Sequence, residues 1–324
     1  MLSEEYDLDG FRFDLMGLHD LATMQKVENA VHAVNPEAII YGEGWTMGST
    51  IDGSAMANQT QIKNIKPLDG AIGGIAVFND AIRDGLKGSV FTSTSKGYIS
   101  GNGAGSFPSV LFGIKGGTGT GATWAVNNAM VVNYMSAHDN NTLWDKLELS
   151  NGSDTVEERL AMNRLGASIL MISKGMVFFQ AGEEMLRTKG GDENSYKSSD
   201  AVNNINWSVL KEGSAEYEMM QFYKGLIKLR QTYTIFRSTN TAVMSKDLKD
   251  GRFAVTIDDH NGGKAMIITN PTAETMCYTA NGSWYMVSDG ASVLVDAPVS
   301  VSGDISIPAY SAVILINNSI MTNN

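Results

Sequence analysis

Cysteine is nearly absent from this 324-residue chain. Cys277 stands alone, which excludes an intrachain disulfide framework and a cysteine-based metal site. The lack of disulfides leans towards a cytoplasmic protein. Positive charge is also short: 24 Lys and Arg against 35 Asp and Glu give a net charge of −11. A nucleic-acid or anionic-membrane partner would want a basic face, so both are excluded as expected partners. No apolar run reaches 18 residues, so no membrane span is expected. The opening Met-Leu-Ser-Glu-Glu-Tyr has neither a basic nor an apolar region and is not a signal peptide. It leaves no room for a strand or helix before residue 9, so the chain reads as beginning partway through a fold.

What is present is a folded composition, 43% apolar and 18% charged, long enough for one large or two ordinary domains. Asp9-Gly-Phe-Arg-Phe-Asp14 alternates aromatic and charged residues, as a strand with Phe11 and Phe13 on one face and Arg12 and Asp14 on the other. A plain ion pair and a catalytic wall both fit that run. Residues 20 to 34 have helical spacing behind an Asp20 cap and stop at Asn35-Pro36. Ala38 to Tyr41 is a short apolar strand, which completes a βαβ unit. Further strands are expected at 74–79, 130–135 and 176–180, and helices at 80–87, after the Thr155/Glu158 capping box, and at 215–231. Residues 46–70 and the glycine-rich 95–123 read as loops. Within the latter, Gly116 to Gly121 lacks the Gly-Lys-Ser/Thr ending of a phosphate loop. Five strands alternating with helices predict a parallel sheet in an α/β layer or barrel. From Ser238 only short β-type runs remain, separated by turns such as Asn261-Gly262 and Asn281-Gly282, which predicts a C-terminal all-β sandwich. The division is therefore 1–237 and 238–324.

Three predicted strands end in acids: Asp14, Glu43 and Asp139. In a parallel β/α barrel the C-terminal strand ends converge on one mouth, so the three carboxylates would meet. Two opposed carboxylates are the minimum for cleaving a glycosidic bond, and a third nearby raises the acid's pKa by like-charge repulsion. Metal binding by the same acids is the rival, weakened by Arg12 beside Asp14 and by a single histidine among the strand ends.

Asp9-Gly-Phe-Arg-Phe-Asp-Leu-Met-Gly17, Tyr41-Gly-Glu-Gly-Trp45 and Asn133-Tyr-Met-Ser-Ala-His-Asp139 with its Asn-Asn-Thr-Leu-Trp-Asp145 continuation resemble the second, third and fourth signature regions of the α-amylase superfamily, glycoside hydrolase family 13. Their wording, with Gly182-Glu-Glu-Met-Leu-Arg-Thr-Lys-Gly-Gly191 and Asn194-Ser-Tyr196, is similar to type I pullulanases. The resemblance implies a partial (β/α)8 TIM barrel, strands 4–8, followed by the sandwich. It implies a retaining hydrolase of α-1,6 branch linkages in pullulan, limit dextrins or amylopectin. Asp14 would be the nucleophile, Glu43 the general acid/base and Asp139 the transition-state stabiliser. Arg12 would orient Asp14, and His138 would bind sugar hydroxyls. Asn194 and Tyr196 would lie on the substrate side, and Trp45 would either stack on a sugar or pack. Trp144 reads as packing, Tyr41 as barrel lining or core, His19 as site or surface, and His32 and His260 as solvated. No cofactor is required; the family leaves room for calcium, for which no ligand set stands out. The family's first signature region should precede residue 9, so a partner carrying the N-terminal half is expected, and secretion stays open with it. The alternatives are a non-catalytic α-glucan-binding remnant and another family 13 specificity.

Overall fold

The computed structural model describes residues 2–48, 51–71, 73–118 and 124–322. The last part of the Gly116–Gly121 run lies outside them. A single helical turn, α1 (Leu2–Glu5), does fit ahead of the first strand, because four residues suffice for one turn. Then β1 (Gly10–Phe13) and α2 (Leu21–His32) follow, with the Asp20 carboxylate accepting from Thr23 N at 2.8 Å as the cap. The first half continues through β2 (Ile39–Gly42), β3 (Ile75–Phe78), α3 (Asp80–Lys87), α4 (Gly103–Ile114), β4 (Val131–Asn133), α5 (Leu143–Ser150) and α6 (Val156–Ile172). It closes with β5 (Met176–Val177), the short α7 (Asp200–Asn203) and α8 (Ala215–Thr232). The five strands form one parallel sheet in chain order, part of a TIM-type barrel as expected.

The concave face of this sheet is aromatic. Tyr41, Phe78, Tyr134 and Phe178 pack edge-on or tilted, with centroids 4.7 to 6.4 Å apart, and the Arg12 guanidinium lies 5.8 Å from the Phe78 ring centre. Tyr41 thus lines the barrel. The opposite face carries Ile40, Ile75, Val77 and Val131 against Met24 and Ile62.

Two local readings are corrected. Within the expected loop 95–123, Gly103–Ile114 is a helix. Glycines on both helices let it approach α3 closely: a Cβ on its Gly113 would fall 2.5 Å from Ile82, and one on Gly85 of α3 would fall 2.9 Å from Ser109. His32 is buried, not solvated. Its Nδ1 sits 2.7 Å from Glu28 Oε1 one helical turn back, and its Nε2 lies 3.0 Å from Ala38 O. His260 is exposed.

The C-terminal strands are β6 (Ala242–Asp247), β7 (Phe253–Asp258), β8 (Lys264–Asn270), β9 (Met276–Ser288), β10 (Val299–Ile307) and β11 (Ser311–Asn317). They make one continuous antiparallel sheet ordered β10-β9-β11-β8-β7-β6. Ala280, Trp284, Ile305 and Ile307 of β9 and β10 share one apolar cluster with Ala254, Ile268, Val313 and Leu315 of β7, β8 and β11. Asn281-Gly282 is not a turn between strands. It is a bulge inside β9, opposite the Ser302–Gly303 step of β10. Val293–Val295 forms no strand, and Val293 only bridges to Ser288. The other face of the sheet, including Val255, Ile267, Ile314 and Ile316, shares one core with Leu165, Ile169, Phe222 and Leu226 of α6 and α8. Buried Tyr98 joins the two parts, its hydroxyl 2.7 Å from both Gly251 O and Thr269 Oγ1. No helix among the described residues is long and apolar enough to cross a membrane.

Candidate active site

The ends of β1, β2 and β4 bring the predicted residues together. Arg12 is inward on β1, in register with Tyr41 of β2. Its Nη1 donates to Asp14 Oδ1 and its Nη2 to Glu43 Oε1, each at 2.7 Å. One planar guanidinium thus spans the two carboxylates, the geometry for which arginine is suited. Glu43 is buried, whereas Asp14 faces solvent. The second Glu43 oxygen accepts from Leu15 N at 2.9 Å, made available by the left-handed backbone of Leu15 (φ 50°). Gly17 N donates to Glu43 O at 2.9 Å, and a Cβ at Gly17 would lie 1.8 Å from Trp45 O. Only glycine allows the two strand ends to pass this closely.

From β4, Asn133 is anchored by Asn79, Gly113 O and Lys174 O. The following turn presents His138, whose Nε2 lies 3.3 Å from Asp14 Oδ1, 3.6 Å from Glu43 Oε1 and 3.5 Å from Asp139 Oδ1. Arg12, Asp14, Glu43, His138 and Asp139 therefore form one cluster.

A cleft of about 540 Å³ opens beside it, lined by Glu43, Trp45, Tyr134 and Asp139, and by Gln59, Asp80, Arg83, Lys87 and Phe91, which sequence reading had not singled out. Asp80 and Arg83 begin the helix after the third strand, so the strand-end rule applied to β3 would have found them. Trp45 is half-buried, and the Arg83 guanidinium sits 5.6 Å from its ring centre. The residue thus packs on one side and lines the cleft on the other. Asn194 shares a neighbouring depression with Asp139, Asn140 and Phe91. Tyr196 is 72% exposed with Lys197 over its ring. His19 is exposed, edge-on to Phe13. Trp144 packs beside the main core with Arg159 over its ring, as expected.

Below the cleft, Glu183 is buried and accepts from Ser136 Oγ at 2.6 Å and from Tyr223 Oη at 3.1 Å. Burial pushes its carboxyl up to about 7, against the opposing pull of these hydroxyls and of Lys87. Burial pushes the Lys87 ammonium down to about 7, with Arg83 acting in the same direction.

Asp14, Glu43 and His138 offer ligand atoms within 4.8 Å of one another. The set suits calcium poorly, since that ion takes about six to eight oxygen ligands and Arg12 already places its positive charge on both carboxylates.

No family model matches the chain. It is 32% identical over 262 residues to the pullulanase of Bacillus subtilis (strain 168), an alignment covering 79% of this chain and 34% of that protein. The solved pullulanase from Bacillus acidopullulyticus superposes with a TM-score of 0.87 at 32% identity, over 98% of this chain and 38% of that one. A pullulanase from Paenibacillus barengoltzii, solved with maltohexaose and α-cyclodextrin, gives a TM-score of 0.85 at 33% identity, over 97% and 49%. The chain spans about a third of the length of the curated relative.

Proposed function

Because the chain is a homologue of the type I pullulanases of glycoside hydrolase family 13, we propose that it carries the catalytic cluster of a retaining α-1,6-glucan hydrolase. The observation that carries this reading is Arg12 bridging Asp14 and Glu43, with His138 and Asp139 alongside. The nearest oxygens of Asp14 and Glu43 lie within 4.8 Å. That fits the separation of about 5–5.5 Å used for a covalent intermediate better than the wider spacing that admits a water. Asp14 attacks the anomeric carbon while Glu43 protonates the departing oxygen. Glu43 then holds the negative charge that Arg12 and Leu15 N are placed to receive. Water, deprotonated by Glu43, releases the sugar from Asp14. Asp139 and His138 hold the ring hydroxyls as the sugar flattens, and Asn194 extends the contact. Tyr196, exposed two residues further on, offers its ring to the substrate. The substrates are α-glucans such as pullulan and amylopectin, and the reaction needs no cofactor.

A second reading draws on the sheet edges. β1 and β5 end the parallel sheet, and an apolar hollow of about 480 Å³ lies on the concave side, lined by Ile39, Tyr41, Val132, Met176, Phe178 and Ile227. Ile39 is 49% exposed. Strands supplied by a further polypeptide would cover this surface, and the chain alone would then bind glucan without cleaving it. Reducing-sugar release from pullulan by the purified chain, absent in Glu43→Gln, is the result expected of the hydrolase. No release from the unmodified chain, with glucan still retained, supports the second reading. Release from starch without maltotriose from pullulan would shift the specificity to another member of family 13.

A further inference from the structure

Asp139 sits on a four-residue stretch, His138 to Asn141, with no regular structure. Asn140 takes a left-handed backbone (φ 62°), and the Asp139 side chain is 68% exposed. Packing of the carboxylate itself therefore does little to fix it. Both ends of the stretch are held from below by ammonium groups. Lys189 Nζ donates to His138 O and Lys87 Nζ to Asn141 O, each at 3.2 Å. Lys87 is 1% exposed and Lys189 7%. They arrive from different parts of the chain, Lys87 from the last turn of α3 and Lys189 from the loop after β5.

Lys189 is itself set in place. Its N–H donates to Asp145 Oδ2 at 2.8 Å, Thr188 Oγ1 donates to the other Asp145 oxygen, and Nζ also donates to Ser195 Oγ at 2.6 Å. Asn141 Nδ2 reaches the same loop at Gly191 O, 3.0 Å away. Burying an ammonium is unfavourable by several kcal/mol unless it is well paired. Here it is buried twice, each time aimed at a carbonyl flanking the same exposed carboxylate. Burial lowers the pKa of both lysines. A purely space-filling role would be met with less penalty by an apolar chain of the same length.

We propose that Lys87 and Lys189 are positioning residues for Asp139, bracketing its backbone so that the carboxylate stands at a fixed place beside Asp14 and Glu43. The assignment rests on the hydrolase reading above. The test compares the unmodified chain with Lys87→Met, Lys189→Met and Lys189→Arg. Methionine keeps length and volume and strands no charge; it leaves one carbonyl without its donor and, at 189, the Ser195 hydroxyl as well, so folding should survive. Hydrogen exchange of the peptide spanning 136–142 should speed up about tenfold or more in each methionine variant, while a peptide from β7 and β8 keeps its rate. On pullulan, kcat should fall about tenfold to a hundredfold, the scale for a misplaced group, with KM within about twofold. Lys189→Arg, which retains a donor, should recover part of the rate. Unchanged exchange at 136–142, or a rate loss accompanied by faster exchange throughout the chain, would overturn the proposal. If the unmodified chain releases no sugar, the hydrolase reading fails, and the exchange comparison still decides whether the bracket exists.

Discussion

Gly17→Ala is a single-methyl change whose effect follows from the backbone packed against it. The added Cβ would lie 1.8 Å from Trp45 O, 2.9 Å from Trp45 C and 3.3 Å from Trp45 N. Contacts to a Cβ below 3.0 Å are essentially never seen, so the two backbones must separate by about 3.0 − 1.8 = 1.2 Å. All three contacts are backbone, so no rotamer change relieves them. The separation stretches the 2.9 Å hydrogen bond from Gly17 N to Glu43 O and carries Glu43 away from Arg12 and Leu15 N. Overpacking of this kind costs about 1–3 kcal/mol of stability, and an acid misplaced by about 1 Å loses about a hundredfold in rate. Gly53→Ala is the control, since a Cβ there meets nothing within 4 Å. Thermal unfolding and pullulan hydrolysis should both fall for Gly17→Ala and hold for Gly53→Ala. A Gly17→Ala chain that melts and reacts like the unmodified one would refute the close-approach argument.

Arg12→Lys replaces a two-pronged donor by a point charge that cannot bridge both carboxylates; kcat/KM should drop about a hundredfold, and an unchanged value would show that the bridge is dispensable. Glu183, raised by burial from its usual 4.5 to about 7, keeps a proton in the folded state that the unfolded chain releases. Stability from this group therefore falls as pH rises from about 4.5 to 7, by about 3 kcal/mol at roughly 1.4 kcal/mol per pH unit. Lys87, lowered from 10.5 to about 7, acts in the next window, where the unfolded chain holds the proton and stability rises with pH. Urea unfolding at pH 5, 7 and 9 should flatten on the acid limb for Glu183→Gln and on the alkaline limb for Lys87→Met; unaltered limbs would contradict the burial account. Tyr98→Phe strands Gly251 O in the interior and should cost about 1–3 kcal/mol in a melt, with no loss counting against the joint.

The parts of this fold legible from sequence were those settled by near neighbours. Asp20 caps α2, and Thr155 and Glu158 box the start of α6, through contacts three residues apart. Strands ending in Asp14, Glu43 and Asp139 carried their own signature, and β/α alternation brought those ends to one side. What escaped depends on distant partners. The glycines of α4 look like loop residues until α3 is packed against them. Strand β6 is largely exposed and shows no apolar alternation. Burial of the Glu28–His32 pair is completed by Leu68 N, which donates to Glu28 from 40 residues away. Lys87, Lys189 and Glu183 look like ordinary surface charges in sequence, because only the tertiary structure removes them from water.

The core shared by α6, α8 and the C-terminal sheet sets an order of events when the chain is made. Ala312, Ile314 and Ile316 of β11 cover the apolar side of α6, yet β11 begins only at Ser311, long after α6 ends at Ile172 in the order of synthesis. At about 5–20 residues per second, the helix waits roughly 7–30 seconds with that side uncovered. During that interval the nascent chain offers a hydrophobic surface for a chaperone. Synthesis of β11, rather than completion of the parallel sheet, is the step that covers this side of α6.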